Sequence, residues 1–401
     1  MNKVRNYIYL FTLLSVLAGC SKNTKPDAYG PGRASTVTGL EYNGDDDNSF
    51  AVRDYNGMPE APNMVYIEGG RVVLGSYEED LLKSMDNIER TVSVSSFWMD
   101  ETEIANIHWL EYLHYAMDSG KQYYDEALPD STVWKEELAF NDQYVDHYLR
   151  YPGFRYFPVV GVSWIQAQKY CQWRTTTVNK QLALQNGNDD EVEAAENGQR
   201  IPLESGIVLP AFRLPTEAEW DYAAQALIGL QELDENYSER RIYPWDGHSL
   251  RNPYGESMGD FMANFKRGRG DYAGIGGKLN DAAMITTWIY DNPPNDFGLY
   301  NMAGNVSEWV EDIYRPLSYQ DFSDLNPVRN SDYLDGPDYG YAYDSRNYET
   351  FISDHIRVYK GGSWKDVAYW LAPGTRRFLE QDSATSTIGF RCAMINAGRN
   401  H

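Results

Sequence analysis

Cysteine, histidine and the short signatures of common enzymes are scarce in this 401-residue sequence. It contains three cysteines and six histidines, and the histidines never form the His-Glu-x-x-His pattern of a zinc protease helix. It has no Gly-x-Ser-x-Gly hydrolase turn, and its nearest approach to a phosphate-binding loop has Tyr272 in place of the first required glycine. The sequence therefore gives no support for a metalloprotease, a serine hydrolase or a nucleotide-binding enzyme.

Positive charge is also in short supply. The 35 lysine and arginine residues are outnumbered by 59 aspartate and glutamate residues, which gives a formal net charge of −24. Because nucleic acids are polyanions, a chain this acidic would be repelled by their phosphates. We therefore expect no nucleic acid among its partners.

Long apolar stretches are missing except near the start of the chain. There, two basic residues precede an apolar stretch over residues 7–18, which is shorter than the roughly 20 residues needed to span a bilayer. The stretch ends in Leu-Ala-Gly followed by Cys20, a pattern typical of a lipoprotein signal. We expect residues 1–19 to be removed and Cys20 to carry the lipid anchor. Ser21 next to the cysteine favours the outer membrane, with the body of the protein in the periplasm.

Lipidation of Cys20 would leave one pair of cysteines, Cys171 and Cys392. An exported protein meets an oxidising compartment, in which such a pair can form a disulfide. Closing so long a loop would contribute about 4 kcal/mol or more in the chain-entropy model. The alternative is two separate buried thiols.

What the sequence does contain in quantity is aromatic residues, at 14%, together with 33 glycines. This combination is typical of a loop-rich fold packed on aromatic rings. Residues 64–74 predict two short strands around Gly69 and Gly70, and residues 91–99 predict one further strand.

Three helices are predicted from residues that can cap their first turns. Asn106 and Ser163 are candidate caps for two of them, and Thr216 with Glu219 forms a capping box for the third. The apolar residues that follow each cap recur at helical spacing, with Trp220 on the buried side of the third helix.

The organisation along the chain predicts a single domain behind a tether. Residues 20–62 are polar and irregular, which is typical of a tether and lead-in. Residues 63–397 then form the compact domain. Three polar stretches within it are predicted as surface insertions, near residues 115–157, 175–210 and 314–356.

Seven longer motifs occur in a fixed order along this domain. They are MVYIEGGRVVLGS (64–76), VSSFWMDETEIAN (94–106), PVVGVSWIQAQKYCQW (158–173), FRLPTEAEWDYAA (212–224), NDFGLYNMAGNVSEWVED (295–312), VYKGGSW (358–364) and IGFRCA (388–393). Together they resemble the formylglycine-generating enzyme family, also called the sulfatase-modifying factor domain. The resemblance implies one α+β domain with little regular secondary structure and an outline like that of C-type lectins. It also implies a disulfide between Cys171 and Cys392.

The same resemblance identifies the positions that matter for catalysis. The family's enzymes oxidise a sulfatase cysteine with oxygen, using copper held by two cysteines, three and eight residues after the serine of the Gly-Gly-Ser block. That serine is Ser363 here, and the two positions hold Asp366 and Leu371. Neither side chain supplies the thiolate that copper(I) prefers. We therefore expect no copper and no formylglycine-generating activity.

Two calcium sites of the family have counterparts in this sequence. The first set consists of Asn264, the carbonyl of Phe265, Asp281 and the carbonyl of Ala283. The second consists of Asn301, the carbonyls of Gly304 and Val306, and Glu308. All are hard oxygen donors of the kind that calcium requires, and we expect any bound ion to be structural.

The lipoprotein signal and the motifs around residues 94–113 and 151–164 are similar to the gliding-motility lipoproteins of the J type. This resemblance implies a non-catalytic outer-membrane lipoprotein that supports gliding motility and type IX protein secretion. Its expected partners are other envelope lipoproteins of that system and, through the lipid, the membrane itself. Two alternatives remain open: a module that binds carbohydrate or peptidoglycan, and an enzyme with a remodelled pocket.

Overall fold

In a computed structural model of the chain, the residues described are 25–45, 49–76, 87–186, 191–193, 197, 199, 201–228, 241–277, 279–315, 323–329 and 355–398. The predicted signal sequence, Cys20 and most of the predicted 314–356 insertion lie outside these residues. Within them, no helix combines the length and the apolar character needed to cross a bilayer.

Helices and short strands share the described part of the chain, as expected for an α+β domain. The helices are α1 (Asn106–Ser119), α2 (Lys121–Ala127), α3 (Asp142–His147), α4 (Trp164–Asn186) and α5 (Glu217–Gln225). The strands are β1 (Met64–Ile67), β2 (Gly70–Leu74), β3 (Arg90–Val94), β4 (Phe97–Asp100), β5 (Ser307–Ile313), β6 (Ile356–Lys360), β7 (Arg377–Glu380), β8 (Ile388–Gly389) and β9 (Ala393–Ile395).

The strands described form three small sheets. β1, β4 and β9 make an antiparallel sheet in that order, and β2 pairs with β3. The largest sheet has the order β7-β6-β5-β8, in which β5 and β8 run parallel. This last sheet matters most for function, because β6 leads directly into the Gly-Gly-Ser turn.

The prediction of two strands within residues 64–74 is confirmed, but that of one strand over residues 91–99 is wrong. β3 pairs with β2, whereas β4 pairs with β1 and β9, so the chain changes sheets at Ser95 and Ser96. Both serines form hydrogen bonds that are not part of the strand pairing. Ser95 donates its backbone N–H to Asn326 Oδ1 at 2.6 Å, and the hydroxyl of Ser96 accepts the N–H of Gly69 at 3.0 Å.

Two of the three predicted helix caps are confirmed. Ser163 and Gln166 accept each other's backbone N–H, and Thr216 and Glu219 form the predicted capping box. The assignment of Asn106 as a cap is wrong, because Ala105 is the cap residue of α1.

The side chain of Asn106 instead points inwards from the first turn of the helix. Its amide donates to the carbonyls of Tyr148 and Phe154, at 3.1 and 2.9 Å. It thereby ties the predicted 115–157 insertion to the body of the domain. The predicted 175–210 insertion begins inside α4, which continues to Asn186.

The largest apolar core lies where α1 packs against α4 and the end of the chain. Trp109 is fully buried there, stacked on Tyr170 with 5.4 Å between ring centroids and edge-on to Phe390 at 5.9 Å. A second core surrounds Trp220 of α5 and lies against β2, β3 and β6. Aromatic rings therefore fill the space between short strands, as the composition predicts.

Candidate functional site

The turn after β6 places Ser363 and Asp366, and its two glycines are sterically required. Gly361 has a φ of +92°, and a Cβ there would lie 3.0 Å from the indole of Trp220. Gly362 has a φ of +69°, and a Cβ would lie 2.8 Å from the carbonyl oxygen of Trp370. The backbone conformation and the lack of space both demand glycine, so the turn is held rigidly on the core.

Asp366, which the motif resemblance aligns with the family's first catalytic cysteine, has its carboxylate clamped by one cation and a hydroxyl. Arg377 binds both carboxylate oxygens, with Nη–Oδ distances of 2.6 and 2.7 Å, and the hydroxyl of Ser363 donates to Asp366. The guanidinium also donates to Ser307 Oγ at 2.9 Å. Asp366 and Arg377 keep 18% and 20% of their side-chain surface exposed, so this pair can be reached from solvent.

Aromatic rings fix the position of Arg377. Its guanidinium carbon lies 4.7 Å from the ring centroid of Trp370 and 4.9 Å from that of Tyr359. A planar guanidinium held in this way gives its carboxylate partner a fixed bidentate geometry. The exposed part of the site is therefore an Asp366–Arg377 ion pair, without net charge, beside two aromatic rings.

Leu371, which the resemblance aligns with the second catalytic cysteine, is fully buried. It packs in an apolar cluster with Ala263, Phe265 and Ala303. At the position where the resemblance would place a second thiol, this chain has hydrocarbon sealed from solvent. The two positions therefore supply one ion-paired carboxylate and one alkyl group, and no soft metal ligand.

Next to this turn lies a buried pair formed by Glu308 and Arg391. Two guanidinium nitrogens of Arg391 each lie 2.7 Å from a carboxylate oxygen of Glu308, and the indole N–H of Trp220 donates to Glu308 Oε2 at 2.8 Å. Arg391 also donates to the carbonyls of Asp100 and Tyr300. All three guanidinium nitrogens of Arg391 therefore donate to a carboxylate or carbonyl oxygen.

A second buried acid, Glu103, accompanies that pair. Its carboxylate accepts from the side-chain amides of Asn301 and Asn305, at 2.8 and 3.0 Å. Burial and the nearby charge of Glu308 raise the pKa of Glu103 to about 8. Glu103 is therefore mostly protonated at neutral pH, which leaves one carboxylate, that of Glu308, to balance Arg391.

The first predicted calcium set is partly assembled. Asn264 is buried, and its amide donates to the carbonyl of Ile285 at 2.8 Å. Its carbonyl oxygen is buried and has no hydrogen-bond partner among the described residues, as expected of an atom that needs a cation or a water. Asp281, by contrast, forms an ion pair with Arg267 and accepts the N–H of Ala283 at 3.0 Å. A calcium ion would have to compete with Arg267 for that carboxylate.

The second predicted set is arranged less favourably for a cation. The carboxylate of Glu308 is taken up by Arg391 and Trp220, and the carbonyl oxygen of the Asn301 side chain accepts from Asn292 at 2.9 Å. The described residues contain no group of three or more histidine, cysteine, aspartate and glutamate side chains suited to a metal ion. Most donors of both predicted sets are carbonyl and amide oxygens, which lie outside such a group, so calcium stays a prediction for both sets.

The predicted cysteine pair is brought together at the centre of the largest core. Cys171 Sγ and Cys392 Sγ are 3.4 Å apart, and both thiols are buried. Asp100 joins the two segments as well, since it accepts the backbone N–H of Cys392 at 2.8 Å and pairs with Arg174. The positions suit a disulfide, and the covalent bond itself stays a prediction.

Sequence reasoning missed Arg377 and Glu103. Neither residue stood out in the sequence, because each lies among other charged or polar residues. Most of their partners could not be found from local sequence either, since they come from distant segments.

Comparison with known proteins identifies the family of this domain. Residues 50–395 match the sulfatase-modifying factor enzyme 1-like domain. The chain belongs to this family. The match begins within the stretch predicted as a lead-in. The two cysteines of the pair, both calcium sets, Asp366 and Leu371 all fall inside it.

Relatives with different activities share this domain. The chain is 27% identical over 339 residues to the serine/threonine-protein kinase pkn1 of Chlamydia pneumoniae, covering 84% of this chain but 38% of the kinase. It is 26% identical over 333 residues to the formylglycine-generating enzyme of Mus musculus, covering 82% of this chain and 74% of the enzyme. It is 25% identical over 370 residues to the inactive C-alpha-formylglycine-generating enzyme 2 of Mus musculus, covering 86% of this chain and 89% of that protein.

A solved structure supports the fold. The structure of PvdO from Pseudomonas aeruginosa superposes with a TM-score of 0.50 at 18% identity, covering 83% of this chain and 94% of that one. The predicted single α+β domain of this family is thereby confirmed. Because the family includes active and inactive proteins, membership alone does not decide whether this chain catalyses a reaction.

Proposed function

We propose that this chain is a non-catalytic member of the family, anchored by lipid at Cys20 to the outer membrane, with its domain in the periplasm. In this proposal it is a structural or assembly component of gliding motility and type IX protein secretion. The absence of catalysis is supported by the side chains at the two positions where the resemblance would place cysteines. Asp366 is clamped by Arg377 and Ser363, and Leu371 is sealed in an apolar cluster.

The exposed apolar residues of the 115–157 insertion support a role in binding other proteins. Phe140 and Tyr123 expose 83% and 63% of their surface, and Tyr115 and Tyr151 are also exposed. Asn106 holds the base of this insertion to the domain, so these side chains are presented from a fixed support. Exposed aromatic groups of this kind are enriched where one protein binds another.

Site-specific photocrosslinking in intact cells tests this role. A photoreactive residue at Phe140 should capture envelope proteins of the secretion or gliding machinery. The matched control is Met258, which is 70% exposed and lies in a different loop. The proposal predicts that the Phe140 partners are absent from the Met258 sample. Capture of the same proteins at both positions, or of no such component at Phe140, would contradict it.

Binding of carbohydrate or peptidoglycan is the second candidate. It is favoured by a row of rings in which Trp288, 48% exposed, contacts Tyr290 and Tyr290 contacts Tyr300. A peptidoglycan pull-down that is lost in Trp288→Ala but kept in Tyr123→Ala would favour this function over protein assembly.

We also propose that calcium binds the set around Asn264 and stabilises the fold. Calcium should therefore raise the melting temperature of the purified chain, because an ion that binds only the folded state at 100 times its Kd adds about 2.7 kcal/mol of stability. Asp281→Asn should reduce this response, whereas Asp260→Asn, at an exposed aspartate, should keep it. Equal melting temperatures with calcium and with a chelator would contradict the proposal.

A further inference from the structure

A lysine and two acids face one another in the core where α5 packs against β6. Lys360 is the last residue of β6, and Glu217 and Asp221 lie one turn apart on α5. Lys360 Nζ is 2.9 Å from Asp221 Oδ1 and 3.5 Å from Glu217 Oε1. All three side chains are buried, with 0%, 1% and 5% of their surface exposed.

The contact between Lys360 and Asp221 is close but is not a well-formed hydrogen bond. Within the part of the chain that the structure describes, neither Lys360 Nζ nor either carboxylate oxygen of Asp221 has a hydrogen-bond partner. Burying a charged pair without such bonds is costly. Burial raises the pKa of Asp221 to about 7, in the direction that favours its neutral acid.

We propose that Lys360 and Asp221 condense to form an intramolecular isopeptide bond. In the step, a proton passes from the ammonium to the carboxylate, and the free Nζ attacks the Cγ of the resulting acid. The Nζ–Cγ bond forms, the bond from Cγ to one oxygen breaks, and that oxygen leaves as water. No atom changes oxidation state and no co-reactant is needed. The product is a secondary amide that joins α5 to β6.

Glu217 lies beside the attacking nitrogen. Arg376 Nη2 and Arg329 Nη1 lie 3.0 and 3.3 Å from its Oε2, while its Oε1 faces Lys360 and is also bound by Arg376 Nε. Burial alone would raise the pKa of Glu217, but Arg376, Lys360 and Arg329 outweigh it and lower that pKa to about 2. Glu217 is therefore ionised, and its carboxylate stabilises positive charge on the attacking nitrogen while the second proton of that nitrogen passes to the departing oxygen.

The surroundings favour formation of the bond and protect it afterwards. Held groups react far faster than free ones, because their encounter costs no further entropy. The neighbours include Trp220, Ala224 and Val358 of the apolar core, which exclude the water needed for hydrolysis. The amide would replace two buried charges and secure the strand that leads into the turn of Ser363 and Asp366. This inference does not depend on the proposed function.

Mass spectrometry of the full chain, purified and digested with trypsin, tests the bond. We expect a branched peptide in which residues 214–240 are joined to residues 358–365, because modified Lys360 resists cleavage. Its mass should equal the sum of the two peptides minus one water. Recovery of cleaved residues 358–360 and of linear 214–240 from the folded wild-type chain would overturn the proposal.

Two variants sharpen the test. Asp221→Asn should lose ammonia instead of water and give a branched product of the same final mass as the wild type. Lys360→Arg should give only linear peptides. If Lys360→Arg fails to fold, the wild-type chain and Asp221→Asn still decide the matter. Absence of the branched peptide from both contradicts the proposal.

Discussion

Replacing Arg391 by methionine should destabilise the domain by about 3–5 kcal/mol, because it leaves a buried carboxylate without its counter-charge. Glu308 and Arg391 are both fully buried, and the guanidinium binds both carboxylate oxygens. Methionine fills much of the same volume, so the loss would come from charge and hydrogen bonds more than from a cavity. Equilibrium unfolding in denaturant measures the change.

Two further variants separate the cause of that loss. In the double variant Arg391→Met with Glu308→Gln, the uncompensated charge is gone, while the glutamine oxygen can still accept from Trp220. We expect it to be more stable than Arg391→Met alone. Arg150→Met makes the same change at an exposed arginine and should alter stability by no more than about 0.5 kcal/mol. A double variant as unstable as the single one would show that the ion pair is not the cause.

Replacing Trp109 by alanine should cost about 3–5 kcal/mol, the range for removing a buried aromatic side chain. The ring is fully buried, stacks on Tyr170, meets the edge of Phe390 and donates its N–H to the carbonyl of Ala127 at 3.1 Å. The substitution would therefore open a cavity and leave that carbonyl without a partner. It would loosen α1, α2 and α4 together, since the ring contacts all three.

The matched control for Trp109 is Trp288→Ala, because Trp288 keeps 48% of its surface exposed. Its unfolding free energy should change by less than about 1 kcal/mol. The two denaturation midpoints can be compared directly if the dependence on denaturant is unchanged. Similar losses for both tryptophans would contradict the assignment of the core to the α1–α4 contact.

The elements that were predictable from sequence are those specified by local chemistry. The capping box of Thr216 and Glu219 lies within one turn of chain, and the two strands around Gly69 and Gly70 lie within eleven consecutive residues, although each pairs with a different strand. The change of sheet at Ser95 could not be predicted in the same way. At that point the backbone N–H of Ser95 donates to the side chain of Asn326, which lies more than two hundred residues away in the sequence.

The same distinction applies to the candidate site. Residues 366 and 371 were selected from the motif that precedes them, so the absence of a thiol at both was readable in the sequence. The clamp on Asp366 was not, because Arg377 and Ser307 come from other strands of the sheet. Glu308 was assigned to calcium from its motif alone, whereas in the fold its carboxylate meets Arg391 from the last motif of the chain. Long-range ionic contacts leave no periodicity in sequence, which is why they were missed.

We propose that this domain has the family's fold without oxidation chemistry, and an assay of formylglycine formation tests this proposal most directly. The purified chain, supplied with copper and oxygen, would be incubated with a Cys-x-Pro-x-Arg peptide, and the peptide followed by mass spectrometry. The mouse formylglycine-generating enzyme serves as the positive control. We expect the cysteine to stay unmodified with this chain, because Asp366 and Leu371 supply no thiolate. Copper- and oxygen-dependent conversion of the peptide would contradict it.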